Sequence, residues 1–118
     1  MAQTYNFKNH KKGDTFLGLD MQILVNETAI TTTDYNVRMQ LRRTASKSSP
    51  VAFEFNSNGE KDGLIVRNGN GVIHFNSEVI DIPAGKYYHD IEFEHIATGK
   101  VRTWVEGYWV IETEVTQS

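Results

Sequence analysis

Cysteine is absent from this chain, which removes disulfide staples, thiolate metal sites and any cysteine nucleophile, and which fits folding in a reducing compartment. A basic surplus is also missing. Fifteen acidic side chains stand against twelve basic ones, for a formal charge of −3, so the sequence predicts no nucleic-acid partner held by phosphate neutralisation. Two local basic clusters, Lys8, Lys11 and Lys12, then Arg38, Arg42, Arg43 and Lys47, read as solvated strand faces and loop rims. No segment approaches the ~20 consecutive apolar residues that span a bilayer. The mixed polar start, Met1 to His10, lacks the apolar centre of a signal peptide, so neither membrane insertion nor Sec-dependent export is expected. Helical periodicity is scarce as well, since almost nowhere do apolar residues recur every three or four positions over three turns.

What the chain has is alternation. Tyr35, Val37, Met39 and Leu41 interleave with Asn36, Arg38, Gln40 and Arg42, the pattern of a half-buried strand. Leu19, Met21, Ile23 and Val25 repeat it, and Asn26-Glu27-Thr28 then turns. Ala29 to Asp34 follows as a Thr-rich link whose β-branched residues disfavour helix. Val51, Phe53 and Phe55 form a shorter strand after the Thr44–Pro50 loop, and Asn58-Gly59 marks another turn. Leu64-Ile65-Val66 is too brief for a helix, and Asn68-Gly69-Asn70-Gly71 is a hairpin signal, because Asn and Gly tolerate the left-handed region. Val72 to Phe75 returns as a strand, with Ile73 and Phe75 on one face. Ser77 to Ile82 fits either a short strand or one helical turn.

The clearest stretch begins at Ile82-Pro83-Ala84-Gly85-Lys86-Tyr87-Tyr88. Pro83 fixes φ and cannot donate to a ladder, while Gly85 can take positive φ, so the chain turns and re-enters a sheet at Lys86. A tyrosine just after such a turn can bury its ring and return its hydroxyl to nearby backbone, as tyrosine corners do. Tyr87, His89, Ile91, Phe93 and His95 then share one face, with Tyr88, Asp90, Glu92 and Glu94 on the other. Beyond the Ala97-Thr98-Gly99-Lys100 turn, Val101, Thr103, Val105, Gly107, Trp109 and Ile111 alternate with Arg102, Trp104, Glu106, Tyr108, Val110 and Glu112. These regularities predict an all-β protein, an immunoglobulin-like antiparallel β-sandwich of about seven or eight strands. The whole chain, 1–118, forms one domain with an ordered core from about 5 to 115. Phe53, Phe55, Phe75, Phe93 and Trp109 are expected to supply much of that core.

Catalytic chemistry is hard to assemble from these residues. His89 and His95 lie on one strand about 20 Å apart at ~3.3 Å per residue, too far to share an ion, so no metal site is expected. Asp90, Glu92 and Glu94 stand about 7 Å apart on one face, within the range of paired glycosidase carboxylates. Cross-pairing with Arg102 or Lys100 on a solvated face is the plainer role for them. No Ser sits in a Gly-x-Ser-x-Gly elbow, and no helix follows Gly69-Asn70-Gly71 to hold a phosphate. No catalytic residue, cofactor or metal is therefore predicted. Trp104 and Tyr108, two large aromatics on the presumed outer face of the last strand, are the candidate interface residues.

Three pieces in order carry a family likeness: Tyr5-x-Phe7 with Lys12-Gly13-Asp14-Thr15-Phe16; Met39-Gln40-Leu41-Arg42; and the Ile82–Ile91 corner with Gly99-Lys100-Val101 and Glu106-Gly107-Tyr108-Trp109. Together they resemble the small immunoglobulin-like sandwich domains of tailed bacteriophages and prophages, especially the N-terminal domain of baseplate upper proteins, from about Tyr5 to Val115. The resemblance implies a non-enzymatic virion structural or assembly protein, a tail, baseplate or neck component made in the bacterial cytoplasm. Its partners would be other virion proteins, or further copies of itself in a homo-oligomer. Those baseplate proteins usually continue into a long helical or receptor-binding region, whereas this sequence ends at Ser118. The alternative is a carbohydrate-binding module in which Trp104 and Tyr108 stack on sugar rings.

Overall fold

The computed structural model describes residues 3–58 and 62–113. The Gly59 half of the predicted turn and residues 114 and 115 of the predicted core lie outside that range. Among the described residues thirteen strands follow one another: β1 (Gln3–Thr4), β2 (His10–Lys11), β3 (Thr15–Phe16), β4 (Leu19–Gln22), β5 (Leu24–Val25), β6 (Thr28–Ala29), β7 (Tyr35–Arg42), β8 (Val51–Asn56), β9 (Gly63–Arg67), β10 (Val72–Phe75), β11 (Glu78–Val79), β12 (Gly85–His95) and β13 (Val101–Glu112). The only helical piece among the described residues is a short 3-10 turn, Thr32–Asp34, inside the Thr-rich link. A 3-10 turn of that length needs no run of helix-favouring side chains, so the β-branched threonines tolerate it.

The protein is all-β and sandwich-like. One leaf runs β13-β12-β7-β8, the other β9-β10-β4, and the two are continuous through a short parallel pairing of β8 with β9. Only Phe55↔Gly63 and Asn56↔Leu64 make that pairing, so it marks the corner where the chain passes from one leaf to the other. Gly63 is required there, because a Cβ would lie 2.5 Å from the Phe55 ring. The segment between Ser77 and Ile82 resolves as the short strand β11, paired with β3. Asn26 (φ 52°) and Glu27 (φ 64°) build the tight β5–β6 hairpin turn.

Not every pairing is antiparallel, as the sequence pattern had suggested. The N-terminal segment runs parallel to the last strand, with Gln3↔Val105 and Thr4↔Glu106 in β1 and Ile111↔His10 and Glu112↔Lys11 in β2. Between them Tyr5 N–H donates to Glu106 C=O at 2.9 Å and Phe7 N–H to Tyr108 C=O at 3.1 Å. This strap covers much of an edge that β13 would otherwise expose. Alternation within a strand says which face each side chain takes, but nothing about the direction of the neighbour.

The expected core residues Phe53, Phe55, Phe75, Phe93 and Trp109 are all buried, in one cluster with Phe7, Tyr87, Ile91, Ile111 and others. Phe7 from the strap stacks on Trp109 at 4.5 Å, and Phe75 of the second leaf meets Phe7 and Phe55 edge-on at 5.9 and 5.3 Å. The corner behaves as its chemistry predicts: Tyr87 is fully buried and its hydroxyl donates to Pro83 C=O at 2.5 Å. Gly85 takes φ 151°, and a Cβ there would collide with the Arg43 guanidinium. That guanidinium lies over the Tyr87 ring at 4.8 Å.

Candidate functional site

The register of β7, β12 and β13 sorts their outward side chains into rows across the sheet. Arg38, Glu92 and Thr103 form one row, Gln40, Asp90 and Glu106 the next, and Arg42, Tyr88 and Tyr108 the third. Lys86 follows on β12, its ammonium 4.3 Å from the Tyr108 ring centroid and 5.4 Å from that of Tyr88. The second and third rows floor a groove of about 530 Å³, with Thr44–Lys47 on one side and Thr4 and Asn6 of the strap on the other.

Trp104 does not belong to this face, contrary to the alternation of the last strand. Ile91 pairs with Val105 but Glu92 pairs with Thr103, so β13 carries an extra residue at Trp104. Such a bulge shifts side-chain parity by one position. The indole turns toward the interior and packs on Phe93 at 5.1 Å and Tyr35 at 5.3 Å. Beyond the bulge Val101 and Thr103, expected inside, are exposed. Tyr108 keeps its outward position, and the aromatic beside it is Tyr88, which is 37% exposed. Only the hairpin register could have revealed that pair.

The carboxylates divide sharply. Glu92 accepts from both Arg38 and Lys47, so its partners lie on β7 and in the following loop, where Arg102 and Lys100 had been expected. Burial pushes its carboxyl up, but the hydrogen bonds and charges of Arg38 and Lys47 outweigh burial and hold its pKa below the ordinary value. Glu54, also buried, accepts from Gln40 at 2.7 Å and Asn56 at 2.9 Å. Asp90 and Glu106 stand directly opposite each other, and among the described residues neither side chain has a hydrogen bond or ion pair. Glu94 receives a long bond of 3.3 Å from Asn36.

Most of the basic side chains are engaged. Lys11 meets Glu112 at 3.1 Å and Lys12 meets Asp81 at 2.6 Å. Arg42 donates to Lys47 C=O, to Ser49 C=O at 3.3 Å and to Gln40 Oε1 at 2.5 Å, which fastens the loop over the sheet.

On the inner side of the same strands, His89 lies opposite Gly107. It is 5% exposed, and its Nε2 donates to Tyr5 C=O at 2.9 Å, which fixes the neutral Nε2–H tautomer. Nδ1 and Trp109 Nε1 have no partner among the described residues. Burial pushes the imidazole pKa down to about 4, against the small upward pull of the Tyr5 carbonyl. Gly107 is what admits the strap: a Cβ there would overlap Tyr5 C=O and lie 2.8 Å from Asn6 Oδ1.

Among the described residues no group of three or more His, Asp or Glu side chains is arranged to hold a metal ion. Nor is any helix long and apolar enough to cross a membrane.

No family model matches the chain, and no curated protein matches it. Among solved structures it is similar to a family 123 glycoside hydrolase from Clostridium perfringens, studied for glycolipid glycan hydrolysis, at 15% identity and a TM-score of 0.39. The match covers 97% of this chain and only 24% of that enzyme. A likeness so slight bears on neither mechanism nor ligand.

Proposed function

We propose that this chain is a non-enzymatic structural or assembly protein of a tailed phage or prophage particle, a tail, baseplate or neck component that works through protein–protein contacts. The observation that carries the reading is where the likeness-bearing segments fall. Residues Tyr5 to Lys11 of the first segment, the Met39–Arg42 strand and the corner with its hairpin lie side by side in one leaf, as strap–β13–β12–β7, while Thr15–Phe16 pairs with β11 outside it. They build a rigid scaffold: Tyr87 closes the corner, Gly107 admits the strap, and Phe7 stacks on Trp109. A docking route is present as well. The Val101–Trp104 end of β13 pairs with β12 on one side, and among the described residues no strand pairs with its other side. Such an edge can accept a strand from a neighbouring subunit. Exposed Val101 and Ile96 flank it.

The test is the composition of particles. Mass spectrometry of gradient-purified particles from an induced host should find the chain at a fixed ratio to the major tail proteins. Its confinement to the cytosol of a lysate rich in intact particles would overturn the reading, as would a genomic setting of metabolic genes with no tail-tube, tape-measure or portal genes nearby.

A further inference from the structure

The groove over Asp90 has a chemistry that scaffolding does not explain. Its volume of about 530 Å³ falls in the usual range for small-molecule sites. Tyr88 and Tyr108 supply flat apolar faces with polar tips, one row away from the amide of Gln40 and the carboxylates of Asp90 and Glu106. Directly opposed like charges on adjacent strands weaken a sheet. On the same face Glu92 has two direct ion pairs, whereas among the described residues Asp90 and Glu106 have none, Asp90 feeling only the longer-range charge of Arg38. The pair without direct partners therefore belongs to the groove and not to the face as a whole.

We propose that this groove is a binding site for a neutral saccharide, with a sugar ring against Tyr108 and Tyr88 and its hydroxyls on Asp90 and Glu106. The free carboxylates call for hydrogen-bond donors, and a sugar ring presents several hydroxyls around its edge. A cationic ligand meets an obstacle in the same place. Lys86 lies within cation–π distance of both tyrosine rings and the Arg42 guanidinium lines the other wall, so an incoming ammonium or guanidinium meets a cation at each end. An anionic sugar would face Asp90 and Glu106. A neutral polyol suits both sides. The inference stands apart from the particle reading, since a protein absent from virions could still hold a sugar here. The aromatic partner of Tyr108 in this site is Tyr88, because the bulge removes Trp104 from the face.

The chain would be screened by amide NMR against a panel of defined neutral and acidic oligosaccharides, each at about 10 mM. The strongest neutral binder would then be titrated by amide NMR beside a tetra-arginine peptide. We expect a neutral oligosaccharide to shift the amides of Tyr88, Asp90, Glu106 and Tyr108, with a Kd on the order of 1 mM. Tyr108→Ala and the near-isosteric Asp90→Asn should each weaken it by roughly tenfold while the thermal midpoint of Asp90→Asn stays close to that of the parent. The proposal is overturned if no neutral oligosaccharide of the panel shifts these amides, by binding that survives both substitutions, or by tetra-arginine occupying the groove in place of the sugar.

Discussion

The two ends of the β12–β13 hairpin are built from the same alternating sequence and come out differently. Near the corner, from Gly85 to Ile91 and Val105 to Ile111, every second side chain is inward as the pattern dictates, and the strap lies along the edge. Past the bulge at Trp104, parity is reversed, the apolar Val101 faces solvent and, among the described residues, no strap lies along the edge. One additional residue in one strand separates a fully packed half from a half-open one.

The sharpest way to break this contrast is to truncate one tryptophan in each half. Trp109→Ala should destabilise by about 3–5 kcal/mol, while Trp104→Ala, at a half-buried site on the core's margin, should cost about 1–2 kcal/mol. Chemical denaturation that gives equal losses for the two would show that the bulge does not demote the far end.

Acid should act on the near half first. The unfolded chain protonates its imidazole near pH 6.5, whereas the folded protein holds His89 neutral down to about pH 4, so the unfolded state binds more protons between those values. The His89 contribution is therefore complete above pH 6.5 and falls by up to about 3 kcal/mol as pH drops toward 4. His89→Phe should flatten that limb of the stability–pH curve. An unchanged limb in the variant would assign the acid sensitivity elsewhere. The lowered pKa of Glu92 works in the same sense, with its share lost only below the ordinary carboxylate range.

Gly107→Ala should lift the strap from the edge, at a cost of roughly 1–3 kcal/mol for the forced overlap with Tyr5. Faster amide exchange at Tyr5 and Phe7, with Thr103 unaffected, is the expected signature, because no described part of the strap pairs with the far half. The smallest effect belongs to Tyr87→Phe, which removes the hydroxyl bond to Pro83 and should cost about 1 kcal/mol by thermal unfolding.

Much of this was legible beforehand, for physical reasons that can be named. The corner at Pro83–Tyr87 depends on local stereochemistry, and the inward set Tyr87, His89, Ile91 and Phe93 follows from period two alone. The bulge was not legible, since it inserts Trp104 into a sequence that goes on alternating without a Gly or Pro to mark it. The parallel strap was hidden too. Its only trace is a glycine at 107 in a strand otherwise full of large residues, a sign that another backbone passes close by. The groove needed both pieces of information, because Tyr88 and Tyr108 become neighbours only once the register is fixed.

The strap also sets when the molecule can be finished. Asn9 reaches Glu112 across 103 positions of sequence, and Asn6 reaches Tyr108 across 102. Such closures come late and slowly, because the entropy of bringing distant segments together must be met before their contacts can repay it. During synthesis the strap from Gln3 to Lys12 must wait, without its β13 partner, until that strand exists. A segment made long before β13 is thus among the last to find its place, and a partner that captured Tyr5 and Phe7 in that interval would be competing with β13 itself.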